Sequence, residues 1–124
     1  MDTLTDNIHV TELTATSFSK TGLLKNNKPT FVLFYKYSCK YCHDLKETWI
    51  ELGKIINFLS IAAFNSSHRK DILEYILDHD VSYPTLILYI NGYPEEIYNK
   101  KDRSLNNLVT FCMEMREKYD YVIK

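Results

Sequence analysis

Six consecutive residues, Thr30-Phe31-Val32-Leu33-Phe34-Tyr35, leave this chain few ways to fold. An almost unbroken apolar and β-branched run of that length reads as a strand buried on both faces, which needs neighbours on each edge and helices above and below. Three residues later a helical period begins: Cys42, Leu45, Trp49, Leu52, Ile56 and Leu59 recur at steps of three and four. The strand is therefore central, and the chain leaves it through a short turn into an amphipathic helix. Cys39-Lys40-Tyr41-Cys42 occupies that turn.

The rest of the chain repeats the alternation. Ile8 to Leu13 alternates weakly and predicts a short strand, followed by a helix within Thr14 to Asn27 whose apolar face is Phe18, Leu23 and Leu24. Phe58 to Asn65 is a second apolar run. Ser66-Ser67 offers a cap for a helix carrying Ile72, Leu73, Ile76 and Leu77 on one face. Thr85 to Ile90 predicts a third buried strand, Asn91-Gly92 a tight hairpin turn, and Glu95 to Asn99 its antiparallel partner, with Pro94 suited to an edge. Ser104 caps a last helix with Leu105, Leu108, Cys112 and Met115 inward. The predicted order is β-α-β-α-β-α-β-β-α, an α/β fold with a central mixed sheet flanked by helices. No linker or repeat interrupts it, so one domain is expected over 1–124, with its core at about 8–119.

Charge narrows the function classes. Fifteen Lys and Arg balance sixteen Asp and Glu for a net charge of −1, which argues against a nucleic-acid partner. No apolar run approaches the roughly 18 residues that span a bilayer, and no leader pattern is visible, so a membrane partner is not expected and the location expected is cytoplasmic. Three cysteines are too few for a disulfide scaffold.

The position of the cysteine pair supplies its chemistry. The first turn of a helix carries free N–H groups and partial positive charge, which favour a thiolate at Cys39, the candidate nucleophile. Cys42, one turn deeper on the apolar stripe, is the candidate resolving thiol. Lys36 and Lys40 flank the pair and His43 follows it by four residues from Cys39, so these three are the candidate pKa-modulating groups. A zinc site would need two more ligands from His9, His43, His68, His79 or Cys112, and no second paired cluster exists. With His43 the run also matches the Cys-x-x-Cys-His pattern of covalent haem attachment, in a chain whose motif follows a buried strand rather than lying among helices. No metal and no cofactor are expected, and Cys112 reads as a buried hydrophobe.

Phe34-Tyr35, the Cys-x-x-Cys at a helix start, and Tyr83-Pro84-Thr85 before an apolar strand and an Asn-Gly turn resemble the thioredoxin family, and among its members protein disulfide isomerase domains. The resemblance covers about Ile8 to Tyr119. It implies a thioredoxin fold, a cis-proline at Pro84 packed opposite the cysteine pair, and a Tyr83 backbone that pairs with extended substrate. Tyr37, Tyr41 and Tyr83 would then group around the pair as a substrate-binding rim. The implied partners are proteins with thiols or disulfides, with glutathione or a thioredoxin-type reductase as candidates for recycling the pair.

Several positions depart from the family pattern. Ser38 stands where the family has Trp, Lys40-Tyr41 replaces Gly-Pro or Gly-His, and Glu47 replaces a helix-kinking Pro. The family's buried acid, six residues before the first cysteine, corresponds to Leu33, and its Lys partner to Ala63. The resulting expectation is a protein thiol–disulfide oxidoreductase working through a mixed disulfide. Two alternatives stay open: a glutaredoxin-like, glutathione-dependent reductase, suggested by Tyr41, and a thioredoxin-fold binding or scaffold module with little turnover, suggested by Leu33 and Ala63.

Overall fold

In the computed structural model Thr30–Tyr35 is a strand, β2, whose six residues are all buried. The structure describes residues 4, 5 and 8–124, so the extent of the domain at residues 1–3, 6 and 7 lies outside the described residues. β1 (Thr11–Leu13), β3 (Ser60–Asn65), β4 (Thr85–Ile90) and β5 (Tyr93–Ile97) complete a five-stranded sheet in the order β1-β3-β2-β4-β5. β3 runs parallel to both β1 and β2, whereas β4 is antiparallel to β2 and to β5. Being central, β2 has both edges hydrogen-bonded and both faces covered, which is why it carries no alternation of polar residues.

The two faces of β2 enter different cores. Phe31, Leu33 and Tyr35 pack with α1 (Lys40–Ile55) and α3 (Leu105–Lys118), where Trp49, Cys42, Leu108 and Phe111 are buried. Val32 and Phe34 pack on the opposite side with Phe18, Phe64, Tyr89 and the buried Ile72 and Leu73 of α2 (Lys70–Ile76). The Trp49 indole N–H donates to the Ala62 carbonyl at 2.9 Å, which ties α1 to β3.

Four sequence expectations shift. The helix expected within Thr14 to Asn27 is only a 3-10 turn at Ala15–Ser17, followed by an irregular segment closed by an isolated Phe18–Leu24 bridge. Turn chemistry wins there: the Ser19 hydroxyl accepts the Thr21 and Leu23 N–H groups, and Gly22 sits at φ 81°. Phe18 and Leu24 still reach the core, as their apolar character requires. The helix carrying the cysteines ends at Ile55 rather than Leu59, and Leu59 is buried just before β3. α2 is capped by Arg69, because Asn65 Oδ1 takes the Ser67 N–H and hydroxyl into a turn of their own. The hairpin partner is Tyr93–Ile97 rather than Glu95 to Asn99, with Pro94 opposite Tyr89 beside a register irregularity. Its turn has Asn91 and Gly92 both at positive φ, 53° and 85°. A Cβ on Gly92 would sit 2.6 Å from the Leu24 carbonyl oxygen, so the hairpin tip needs glycine for space as well as for conformation.

Candidate functional site

Where β2 ends, the chain must release its last carbonyls and begin a helix within four residues. It does so by a turn in which the Cys39 N–H donates to the Lys36 carbonyl at 3.0 Å, while the Ser66 N–H holds the Tyr35 carbonyl at 2.7 Å. Cys39 is thereby the N-cap of α1, and its sulfur accepts the Cys42 N–H at 3.2 Å. A capping side chain satisfies an otherwise orphaned helix amide, and here that side chain is a thiol. The same sulfur lies 3.7 Å from the Tyr83 carbonyl, to which the Cys39 S–H donates. Cys39 is half-buried, and Cys42 is fully buried.

Burial and apposition hold the Cys42 thiol above its ordinary range. Desolvation is the main cause, and the hydrogen bond with Cys39 and the Cys39 charge add to it, whereas the Lys36 backbone and the Arg103 charge pull the other way. Arg103 was not singled out from the sequence, 61 positions away from Cys42. Its only linear signal is its place beside the Ser104 cap of α3. Cys112 is fully buried on α3, and burial pushes its thiol up to about 12.

The expected helper groups are arranged around the pair, each engaged with something other than the sulfur. Lys40 pairs with Asp44 at 3.2 Å and lies 5.6 Å from the Tyr41 ring centre. Lys36 lies 5.7 Å above the Tyr83 ring. His43 does not lie over Cys39: its Nε2–H donates to the Tyr37 carbonyl at 2.5 Å, and its ring meets Tyr37 edge to face with centroids 5.1 Å apart. The sulfur is already occupied by a helix amide, whereas the Tyr37 carbonyl offers the imidazole a full hydrogen bond. Of the expected tyrosine rim, Tyr37 and Tyr41 are exposed, at 46% and 65%. The Tyr83 hydroxyl is instead buried, so Tyr83 faces Cys39 with its backbone carbonyl. The Tyr83–Pro84 peptide bond is cis and Pro84 is buried.

The layer beneath Cys42 is apolar. Leu33 and Ala63 face each other across β2 and β3, both fully buried, on the side of the sheet that carries Cys42. The carboxylate in that row belongs to β1: Glu12 is paired with Ala63, two strands out from Leu33. It accepts from the Tyr35 hydroxyl at 3.0 Å and the Thr5 hydroxyl at 2.8 Å. Glu12 also went unnoticed in the sequence, where it reads as one polar residue in a weak strand. Among the described residues, no group of three or more His, Cys, Asp or Glu is assembled to hold a metal ion. Nor is any described helix long and apolar enough to cross a membrane.

No protein-family model matches the chain. It is 36% identical over 85 residues to DnaJ homolog subfamily C member 10 of Rattus norvegicus, a match covering 68% of this chain and 10% of that protein. It is 29% identical over 112 residues to Protein disulfide-isomerase 5-1 of Arabidopsis thaliana, covering 88% of this chain and 74% of that one. The chain thus spans about a tenth of the first of these relatives and about three quarters of the second. Among solved structures, the J-Trx1 fragment of ERdj5 superposes with a TM-score of 0.73 at 31% identity, over 89% of this chain and 53% of that one. The zinc-bound form of human ERp44 superposes with a TM-score of 0.71 at 23% identity, over 86% and 32%, a likeness of fold alone.

These relatives overturn the cytoplasmic location expected above, since ERdj5 and Protein disulfide-isomerase 5-1 are proteins of the endoplasmic reticulum lumen. A low cysteine count does not separate the two compartments when the pair is a working one rather than a structural bridge. Strand order, helix placement and relatives agree: the chain is a thioredoxin-like domain related to those of ERdj5 and protein disulfide isomerase.

Proposed function

We propose that this chain is a protein thiol–disulfide oxidoreductase domain that acts through a mixed disulfide, with Cys39 as nucleophile and Cys42 as resolving thiol. The observation that supports it most is the Cys39 sulfur at the cap of α1, 3.2 Å from a helix amide and 3.7 Å from the Tyr83 carbonyl. The amide fixes that sulfur at the mouth of the helix, and a half-buried position leaves it open to attack or be attacked.

In the reducing direction the Cys39 thiolate attacks one sulfur of a substrate disulfide. The substrate S–S bond breaks, a Cys39–substrate disulfide forms, and the departing substrate thiolate takes a proton from solvent. Cys42 then gives up its proton and attacks the Cys39 sulfur. A Cys39–Cys42 disulfide forms and the second substrate thiolate leaves, so two electrons have passed from the pair to the substrate. The oxidising direction runs the same steps backward. Tyr37 and Tyr41 offer exposed aromatic surface beside the pair, and the Tyr83-Pro84 backbone is where an extended substrate segment would lie. The lumenal setting of the relatives suits such chemistry.

Reduction of insulin by dithiothreitol tests this reading. The chain should accelerate precipitation of the insulin B chain, Cys39→Ser should return the rate to that of dithiothreitol alone, and Cys42→Ser should accumulate mixed disulfides. A wild-type chain no faster than dithiothreitol, with nothing trapped on Cys42→Ser, sinks the proposal. Buried Leu33 and Ala63 favour a second reading, a binding module that forms mixed disulfides and resolves them slowly. Trapping without multiple turnover is its mark.

A further inference from the structure

Beside Pro84 a groove of about 240 Å³ opens toward the loop between β5 and α3. Its charged lining is Lys100, Lys101 and Arg103, joined by the imidazole of His79, with no carboxylate. The loop's one acid, Asp102, is turned onto its own backbone: its side chain accepts the Ser104 N–H at 2.8 Å, and its carbonyl accepts the Tyr98 hydroxyl at 2.5 Å. Ser104 in turn caps α3 through the Asn107 N–H, and the Tyr98 N–H reaches the Leu86 carbonyl, so both ends of the loop are anchored.

What sets the cations of this loop apart is their proximity. Lys100, Lys101 and Arg103 form no ion pair among the described residues, as several other surface cations do not, but these three stand together on one short loop. Asp78 and Asp80 flank His79 in sequence, and neither lines the groove. In a chain whose net charge is −1, three cations against the single carboxylate of Asp102 leave this anchored loop with an excess of positive charge at one place.

That place adjoins the cysteine pair. Pro84 follows Tyr83, whose carbonyl touches the Cys39 sulfur, and Arg103 also lines the neighbouring hollow with Tyr41. An extended chain advances about 3.3 Å per residue, so a segment whose cysteine meets Cys39 reaches the groove within a few residues.

We propose that this groove docks an acidic flank of the polypeptide substrate, with Asp or Glu side chains a few positions from the substrate cysteine. The proposal rests on the oxidoreductase reading and names the substrate class for it. Exposed charge pairs are individually weak, and two or three of them together should change affinity on the order of tenfold at low salt.

Two peptides serve as probes, identical except for Glu or Gln flanks, with serine in place of cysteine so that no thiol chemistry takes part. Their binding is followed by NMR titration at low and at high salt, with wild type and with Lys100→Glu/Lys101→Glu. The acidic peptide should bind about tenfold tighter at low salt, shift the amides of Lys100, Lys101 and Arg103, and lose its advantage in high salt and in the charge-reversed variant. Equal binding of both peptides, or a preference that survives charge reversal, overturns the proposal. Disulfide-bearing versions of the same peptides report turnover separately. A binding preference without turnover keeps the docking groove and sinks only the oxidoreductase reading; turnover without preference does the reverse.

Discussion

Around Cys39 the surroundings are open and polar: a helix amide on the sulfur, a backbone carbonyl at 3.7 Å, two lysines over neighbouring rings, and an imidazole clamping the approach turn. One turn deeper, around Cys42, the side chains beneath are Leu33 and Ala63, and the nearest row-mate with a carboxylate is two strands away. The surface half of the site gives its sulfur a helix amide and partial exposure, whereas the buried half offers almost nothing to receive a proton. Forming the mixed disulfide and resolving it therefore draw on unequal resources, and resolution is expected to be the slower step.

The largest contrast to test is between the thiols themselves. Burial lifts Cys112 from 9.0 to about 12, which cuts its thiolate population on the order of a thousandfold at neutral pH. Pulsed alkylation of the reduced protein should label Cys39 first and leave Cys42 and Cys112 far behind. Labelling of Cys42 or Cys112 before Cys39 would break the comparison at its root.

Next in size is the proton acceptor. Leu33→Glu combined with Ala63→Lys puts a carboxylate and its counter-charge beneath Cys42, and a positioned base should speed single-turnover resolution on the order of 10- to 100-fold. The cost is a buried ion pair, so a lower Tm should accompany it. A folded double variant that resolves no faster would show that proton removal from Cys42 is not what limits the step.

A smaller effect belongs to Arg103, whose charge pulls the Cys42 thiol down against burial. Removing it should raise the thiol further, so the pH–rate profile of resolution in Arg103→Ala should move to higher pH and the rate at neutral pH should fall. With a small uncharged disulfide as substrate, which offers the basic groove nothing to hold, formation of the mixed disulfide at Cys39 should change much less. Equal slowing of both steps would mean that Arg103 acts on the whole site rather than on its buried half.

The legibility of these two halves in the sequence differs for the same physical reason. β2, α1 and the Cys39 cap were readable because a doubly buried strand and a helix stripe are local patterns, and a cap lies where one meets the other. Leu33 and Ala63 were readable only against the family resemblance. Arg103 and Glu12 were not readable, since each matters through a neighbour brought close by sheet order and by the loop before α3. The expected first helix failed in the opposite way: Phe18, Leu23 and Leu24 are apolar but lie five and one residues apart, a spacing that does not keep to one helix face, and Ser19 and Gly22 close a turn between them. Two of those apolar side chains, Phe18 and Leu24, find the core without a helix.

The smallest effect concerns Glu12, the carboxylate left in the row beneath Cys42. Burial raises its pKa above the ordinary 4.5, against hydrogen bonds from Thr5 and Tyr35 that lower it. A carboxyl raised in the folded state favours folding while it is protonated. Its contribution is fully present below 4.5 and is lost as pH rises through the folded value. Glu12→Gln cannot ionise, so the stability difference, wild type minus variant, should fall as pH climbs from below 4.5 through the folded pKa and then level off. With Tyr35 and Thr5 still able to bond the amide, the two proteins should differ at neutral pH by no more than about 1 kcal/mol. Denaturation in urea across that pH range reads the sign directly. A difference that rises with pH would mean that the Thr5 and Tyr35 hydrogen bonds, not burial, govern Glu12. The same variant checks the comparison between the cysteines. Glu12 stands on β1, two strands out from Leu33, and its carboxylate already accepts from the Tyr35 and Thr5 hydroxyls. Resolution by Glu12→Gln should therefore stay within about twofold of wild type, and a larger loss would make Glu12 the acceptor that the Leu33 position lacks.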